Sequence, residues 1–264
     1  LAYGSLLKLG GVGVSCSGVN LLTAFLGLLP SFLSVLVDTP WKRLSWINTS
    51  VGAIPGALPP LNGWAAAVGT VEPGAWILFV ILFAWQHPHF YAIAWMYRED
   101  YARANFRMLS VVDPSGERMF RQVEWFCIGL WVVSLFPAFM GLTGLVYFFG
   151  AMVLGAILLW YGMVVSRTRD VADARSLLRA SVFYLPILFL LIIADQWRAD
   201  CLGSAGNEVI RTPNLDSLAA EGTRFTSCFN QTAPCGPSRM CIYTGRYLCS
   251  TRSAHNGPPL ENAE

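Results

Sequence analysis

The sequence predicts an all-α polytopic membrane protein of about seven transmembrane helices, followed by a small, partly irregular C-terminal segment. Three observations predict this. The 264 residues are 55% hydrophobic and 13% charged, with mean hydropathy +0.49, whereas a soluble domain carries about 25% charged residues. No charge interrupts residues 9–37, 125–165 or 180–194. Composition then changes near residue 195, from long apolar runs to Gly, Pro, Asn, Thr and Arg at soluble-protein frequency. The expected division is 1–194 for the membrane domain and 195–264 for the rest.

A membrane helix needs about 20 mostly apolar residues. In chain order the candidate spans are 1–16, 19–37, 49–69, 74–97, 122–141, 144–165 and 178–195. The first is short and holds Lys8. The chain opens inside an apolar run with no charged n-region or cleavage site, so it reads as truncated rather than as a signal peptide. The third span, VGAIPGALPPLNGWAAAVG, holds Pro55, Pro59, Pro60 and four glycines. Proline costs about 3 kcal/mol in a helix interior, but in a bundle neighbours re-satisfy the freed carbonyls and small residues let backbones approach. This span is either a kinked packing helix or a broken helix lining a polar cavity. The fourth span carries Gln86, His87 and His89 at membrane depth, where polar groups face partners or a cavity. The two histidines point about 200° apart on a regular helix, which argues against a shared metal clamp. On the residues alone they are interhelical hydrogen-bond partners.

Cations mark alternate loops. Lys42 and Arg43 follow the second span; Arg98, Arg103, Arg107, Arg118 and Arg121 follow the fourth; Arg167, Arg169, Arg175 and Arg179 follow the sixth. The other three connecting loops hold no Lys or Arg. The even-numbered loops are therefore expected on the cytoplasmic side, and everything after residue 195 on the outer face. Of seven cysteines, five crowd the last 64 residues and none forms C-x-x-C, so no zinc site is expected.

The strings TPWKRLSWINTSVGAIPGALPPLNGW, WQHPHF and REDYARANFRML, in this order and spacing, closely resemble protohaem IX farnesyltransferases (haem O synthases) of the UbiA-type intramembrane prenyltransferases. The resemblance covers residues 1 to about 194. It implies a helical bundle, usually of nine spans, that opens to the cytoplasmic side of a bacterial or mitochondrial inner membrane. The implied partners are the lipid bilayer, farnesyl diphosphate and protohaem IX; no nucleic acid is expected, and protein partners are left open. The implied cofactor is Mg²⁺ on two acidic motifs, where it neutralises departing diphosphate together with Lys and Arg. By the resemblance, Asp100 and its neighbour Glu99 match the second acidic motif. Lys42 and Arg43, with Arg103, are the candidate diphosphate clamp. Asn48 opens the next span, and His89 is the candidate contact with the porphyrin. On the residues alone, Lys42, Arg43 and Arg103 read as ordinary topological cations and Asp100 as a solvated loop acid. Two departures stand out: the family's Tyr before Thr-Pro is Asp38 here, and nothing corresponds to the first acidic motif. The chain reads as lacking the first helices and half of the Mg²⁺ site, and so as inactive alone.

From about residue 190, IIADQWRADCLGSAGNEVIRTPNLDSLAAEG, followed by CGPSR and TGR, resembles the start of formylglycine sulfatases and phosphonate monoester hydrolases, an alkaline-phosphatase-like α/β fold. The resemblance implies that Cys235 is oxidised to formylglycine, that Arg239 holds its oxygen, and that Asp195 and Gln196 begin a metal site, usually for Ca²⁺. Most ligands of such a site are absent, and so short a piece buries little core. One helix is expected at 214–221, with Thr212 as N-cap and Gly222 as C-cap. The apolar stretch 187–195 fits both resemblances, as the end of a membrane helix or as a buried strand delivering Asp195. A buried parallel strand needs neighbours on both sides, so a helix through about Ala194 is expected, with Asp195, Gln196, Trp197 and Arg198 at the outer interface. Three functions compete: haem farnesylation, ester hydrolysis, and a non-functional chimera of two genes.

Overall fold

The computed structural model describes residues 2–195, 217 and 219–221. All seven expected spans are helical. α1 (Ala2–Gly18) precedes a continuous helical run formed by α2 (Leu21–Phe32), a π-helical turn (Leu33–Asp38) and α3 (Thr39–Leu44). The third span is two helices, α4 (Asn48–Ala57) and α5 (Pro59–Val68). Then come α6 (Pro73–Met96), the short α7 (Arg98–Arg103) and α8 (Leu109–Val112), and the long α9 (Glu117–Phe139), α10 (Leu145–Thr168) and α11 (Val171–Asp195). Among the described residues, five stretches are long and apolar enough to cross a membrane: Leu21–Leu44, Pro73–Met96, Glu117–Phe139, Leu145–Thr168 and Val171–Ile193. The two other expected spans fall short individually, α1 at 17 residues and α4 and α5 at 10 each. Among the described residues there is no strand, and the stretch 187–195 is the end of α11. This is a membrane protein: large apolar side chains such as Phe25, Trp125, Trp160 and Phe183 stand more than half exposed on its helices, as a lipid-facing surface requires.

Each break has a local cause. Asn20 caps α2, its side chain accepting from the Thr23 amide at 2.7 Å, and its amide donates to the Ala65 carbonyl at 3.0 Å, tying α2 to α5. Pro59 and Pro60 lack the N–H groups that would continue α4, so the helix breaks at Leu58 and restarts with proline in its first turn. Gly69 ends α5 in the left-handed conformation, φ 83°. The third span is therefore broken rather than only kinked, but the break itself is packed among Ala57, Leu58 and Leu61 instead of lining a polar cavity. Leu26, Leu58, Leu61, Ala65 and Ala75 form the core where α2, α5 and α6 meet. Ala53 and Ala57 on α4 are fully buried, the close approach that drives helix association in lipid.

Several helices outrun the expected spans. α9 begins at Glu117 and α11 at Val171, so Arg118, Arg121, Arg175 and Arg179 lie on helix ends rather than in loops. Long cationic side chains tolerate this because their heads reach the interface while their stems stay apolar.

The chain divides into two compact units, Leu1–Pro137 with Phe148–Phe189, and Ala138–Tyr147 with Leu190–Glu264. In the second, the Gly141 amide closes a turn on the Ala138 carbonyl at 3.1 Å. Residues 217 and 219–221 are helical, with the Ser217 hydroxyl donating to Glu221 at 3.2 Å. The expected caps Thr212 and Gly222 lie outside the described residues. The packing below belongs to the first unit.

Candidate functional site

The cation-bearing connections meet at one end of the bundle. The Arg107 amide donates to the Lys42 carbonyl at 2.8 Å. The Arg169 guanidinium donates to the Ser115 carbonyl at 3.0 Å, and the Trp95 indole donates to the Arg169 carbonyl at 3.0 Å. Arg98 lies over the Trp95 ring at 4.6 Å, a cation–π contact. Gly116, at φ 73°, presses against that ring, and an added Cβ would stand 2.8 Å from it. Asp113 starts the turn into α9, accepting from the Arg118 amide at 2.8 Å and the Ser115 hydroxyl at 2.5 Å. Partial burial works against its charge, but Ser115 and Arg118 outweigh this and hold its carboxyl below the usual carboxylate range.

At this end lies a cavity of about 200 Å³ between α3, α4, α6, α7 and the segment after α7. Its polar lining is Asp38, Lys42, Asn48, Thr49 and Tyr101; Phe90, Phe106 and Met108 supply apolar wall, and Gly52 backs Asp38. The π-helical turn places Asp38: the Thr39 hydroxyl and amide both reach back to the Ser34 carbonyl, five residues away, and the wider turn swings Asp38 toward α4. Lys42 Nζ lies 3.0 Å from the Asp38 carboxylate, and the Asp38 side chain is only 13% exposed. Asn48, buried at the start of α4, donates to the Arg107 carbonyl at 3.2 Å. Asn105 takes φ 56° and turns the chain, a conformation Asn tolerates better than most residues. Phe106 and Met108 thereby reach the cavity wall. The cavity thus combines an ammonium paired with a carboxylate, neutral polar groups and an aromatic wall.

Of the sequence-predicted residues, Lys42 and Asn48 line this cavity. Arg43, Glu99, Asp100 and Arg103 sit at the same end but are exposed. Asp100 pairs with Arg103, and Tyr101, the next residue on α7, is the one on the wall. Among the described residues no group of three His, Cys, Asp or Glu is placed to hold a metal ion. Asp195 ends α11; Gln196, Cys235 and Arg239 lie outside the described residues.

The two histidines of α6 face different helices, as their spacing requires. His87 is fully buried. Its Nδ1 is 2.9 Å from the Phe83 carbonyl and its Nε2 is 3.0 Å from the Ser50 hydroxyl on α4. A carbonyl only accepts, so in the neutral ring Nδ1 carries the proton and Ser50 donates to Nε2. The ring stacks on Phe126 of α9, centroids 3.5 Å apart. Gln86 donates to the Ala53 carbonyl at 3.1 Å. His89 turns to α11: its Nδ1 lies 2.9 Å from the Ser181 hydroxyl, which donates to Leu178, so His89 donates and Nε2 keeps its lone pair. Trp85 stacks on His89 and donates to the Ser181 carbonyl at 2.7 Å. Gln86 and His87 thus fasten α4, the cavity wall, to the bundle. Their burial at membrane depth signalled partners in the sequence, whereas Ser50, Thr49 and Tyr101 carried no such signal. A second groove of about 400 Å³ runs between α10 and α11, mostly apolar, with Tyr161, Ser176 and Arg179 toward the basic end.

Residues 1–190 match the UbiA prenyltransferase family, and residues 188–263 match the sulfatase family. A protoheme IX farnesyltransferase of Solibacter usitatus is 46% identical over 196 residues, covering 74% of this chain and 67% of the relative. One from Salinibacter ruber is 43% identical, covering 73% and 68%. The human mitochondrial protoheme IX farnesyltransferase is 38% identical over 196 residues, covering 74% and 44%. The chain thus spans about two thirds of the length of these bacterial relatives and less than half of the human one. No solved structure matches the chain significantly.

Proposed function

The chain belongs to the UbiA prenyltransferase family, and from that premise we propose that its membrane domain, residues 1–194, serves haem O synthesis, transferring a farnesyl group from farnesyl diphosphate to a vinyl group of protohaem IX. The observation that carries this reading is the cavity where Lys42 and Asn48 face an aromatic wall at the cation-rich end. The names of the relatives supply the substrates. In the proposed reaction the farnesyl C1–O bond breaks and its electron pair leaves with diphosphate. The vinyl group attacks C1 to form a C–C bond, and water adds to the resulting cation, loses a proton and leaves a hydroxyethylfarnesyl side chain. Lys42 and Arg43 stabilise the charge that develops on diphosphate, with Arg103 in support. Asn48 holds the segment bearing Phe106 against Lys42, and His89 offers its Nε2 lone pair toward the porphyrin.

In this reading Asp100 and Glu99, exposed at the same end, and Asp38 in the cavity lining are the carboxylates that would meet a Mg²⁺ ion brought mainly by substrate phosphates. When bound, it neutralises diphosphate charge. The one-sided loop cations support a cytoplasmic opening and an outer location for the residues after 195, in a bacterial or mitochondrial inner membrane. Membranes carrying the chain, supplied with farnesyl diphosphate, Mg²⁺ and protohaem IX, form hydroxyethylfarnesyl haem by mass spectrometry, and Lys42→Ala abolishes it. Membranes that convert no haem argue for the inactive, chimeric reading instead.

A second reading rests on the sulfatase match, which overlaps the first match at residues 188–190. In it residues 195–264 derive from a formylglycine ester hydrolase, with Cys235 as the oxidised nucleophile, Arg239 beside it, and Asp195 and Gln196 at a Ca²⁺ site. Peptide mass spectrometry of Cys235 tests it: formylglycine in place of the thiol supports the reading, and an unmodified thiol opposes it.

A further inference from the structure

The groove between α10 and α11 has a cause in the packing. α10 lies close on α9: a Cβ at Gly155 would overlap the Trp131 ring, and one at Gly162 would stand 3.0 Å from the Cys127 sulfur. On α11, Ala180 supplies only a methyl, and a concave channel of about 400 Å³ is left between the two helices. Its floor is Leu158 and Tyr184, both buried. The Tyr184 hydroxyl is engaged with Ser134 of α9 at 2.7 Å, so the floor offers hydrocarbon to the membrane. Ile157, Phe183 and Ile187 form exposed apolar sides.

At the basic end the lining changes to Tyr161, Ser176 and Arg179. Arg179 makes no ion pair among the described residues. The acids nearest it in sequence are turned to the connection between the helices: Asp173 accepts from the Thr168 hydroxyl at 2.6 Å and Asp170 from the Val171 amide at 2.7 Å. Arg175, exposed one turn earlier on α11, adds a second cation. Arg179 lies within the apolar stretch Val171–Ile193, about 12 Å along the helix from its start. Its stem rests on the groove, and its head points back toward the helix N-terminus and the interface. From Arg179 to Ile187 is about 12 Å more, room for part of one hydrocarbon chain.

We propose that this groove holds an acyl chain of an anionic phospholipid whose phosphate sits on Arg179 and the Tyr161 hydroxyl. Charge complementarity selects the headgroup: the cations here lack a local counter-ion, and a choline headgroup would bring its own cation beside them. Basic pockets between transmembrane helices bind anionic headgroups in this way. The inference is independent of the cavity at Lys42, which other helices line.

The test places the full chain in phosphatidylcholine nanodiscs with a trace of a phospholipid bearing a diazirine on its acyl chain. The probe headgroup is either glycerol or choline. After irradiation, modified peptides are quantified by mass spectrometry, relative to label around the lipid-facing Trp125 of α9. The phosphatidylglycerol probe labels residues 154–161 and 180–187 at least about fivefold more than the phosphatidylcholine probe. Arg179→Gln abolishes that preference, and Ala180→Leu, which fills the groove, lowers labelling there by both probes. Equal labelling of these segments by the two probes on wild type overturns the proposal without recourse to either variant. A preference that survives Arg179→Gln overturns it as well. So does label that farnesyl diphosphate displaces, which would make the groove a prenyl site.

Discussion

Gly56→Ala is a substitution that the packing of α4 on α6 resists. On α4 a Cβ at residue 56 would overlap Gln86 Oε1 and lie 3.0 Å from its Cδ. Gln86 is buried and donates to the carbonyls of Ala53 at 3.1 Å and Leu82 at 3.2 Å. The side chain must leave that seat or α4 must move away from α6. Overpacking a closed interface costs about 1–3 kcal/mol, and a lost interhelical hydrogen bond in a membrane bundle about 0.6 and at most about 1.7 kcal/mol. Together these predict about 2–4 kcal/mol of destabilisation, read as a lowered unfolding midpoint in detergent. Truncating Gln86 removes the obstacle and forfeits mainly its hydrogen bonds. The double variant Gly56→Ala/Gln86→Ala is therefore more stable than Gly56→Ala alone, a coupling the double-mutant cycle isolates. A Gly56→Ala protein as stable as wild type, or a double variant no better than the single, refutes this account of how α4 is held.

His87→Leu leaves the Ser50 hydroxyl without its acceptor and removes the stacking on Phe126; it lowers stability by about 1–3 kcal/mol in an unfolding titration, and adding Ser50→Ala recovers part of the loss. Asn48→Ala frees the Arg107 carbonyl, loosens the segment that carries Phe106, and weakens diphosphate binding while Lys42 stays in place; calorimetry reads the change. Asp113 has its carboxyl held below the ordinary range in the fold, so its stabilising contribution is present above the unfolded carboxylate pKa and is lost as pH falls through the depressed value. Asp113→Asn consequently flattens the acid side of the stability–pH curve.

Much of this architecture is legible in the sequence because membrane helices announce themselves. Long apolar runs placed a helix at every expected span, and Pro59 and Pro60, which lack N–H groups, lie where α4 ends and α5 begins. The spacing of His87 and His89 already set them on different faces, and they meet Ser50 and Ser181 respectively. The stretch 187–195 could be read as helix or strand by apolarity alone. Backbone self-satisfaction in lipid favoured the helix, which is what forms. The cavity was less legible. Asp38 looked like a mere departure from a family pattern, because its inward aim depends on a π-helical turn that hydropathy does not encode. Asp100 carried the motif yet pairs with Arg103 at the surface, while Tyr101, one residue on, reaches the wall. Asn105 gave no sign of the positive φ that sets Phe106 in place, since Asn tolerates that conformation without requiring it.

The central claim, that the cavity between α4 and α7 receives a prenyl diphosphate, is tested most directly by photolabelling. A photoreactive farnesyl diphosphate analogue is irradiated with the full chain in membranes, and the modified peptides are mapped by mass spectrometry. The account predicts label on residues 48–52, 90 and 101–108, competed by farnesyl diphosphate and lost in Lys42→Ala. Label confined to the groove between α10 and α11, or label that farnesyl diphosphate does not displace, contradicts it.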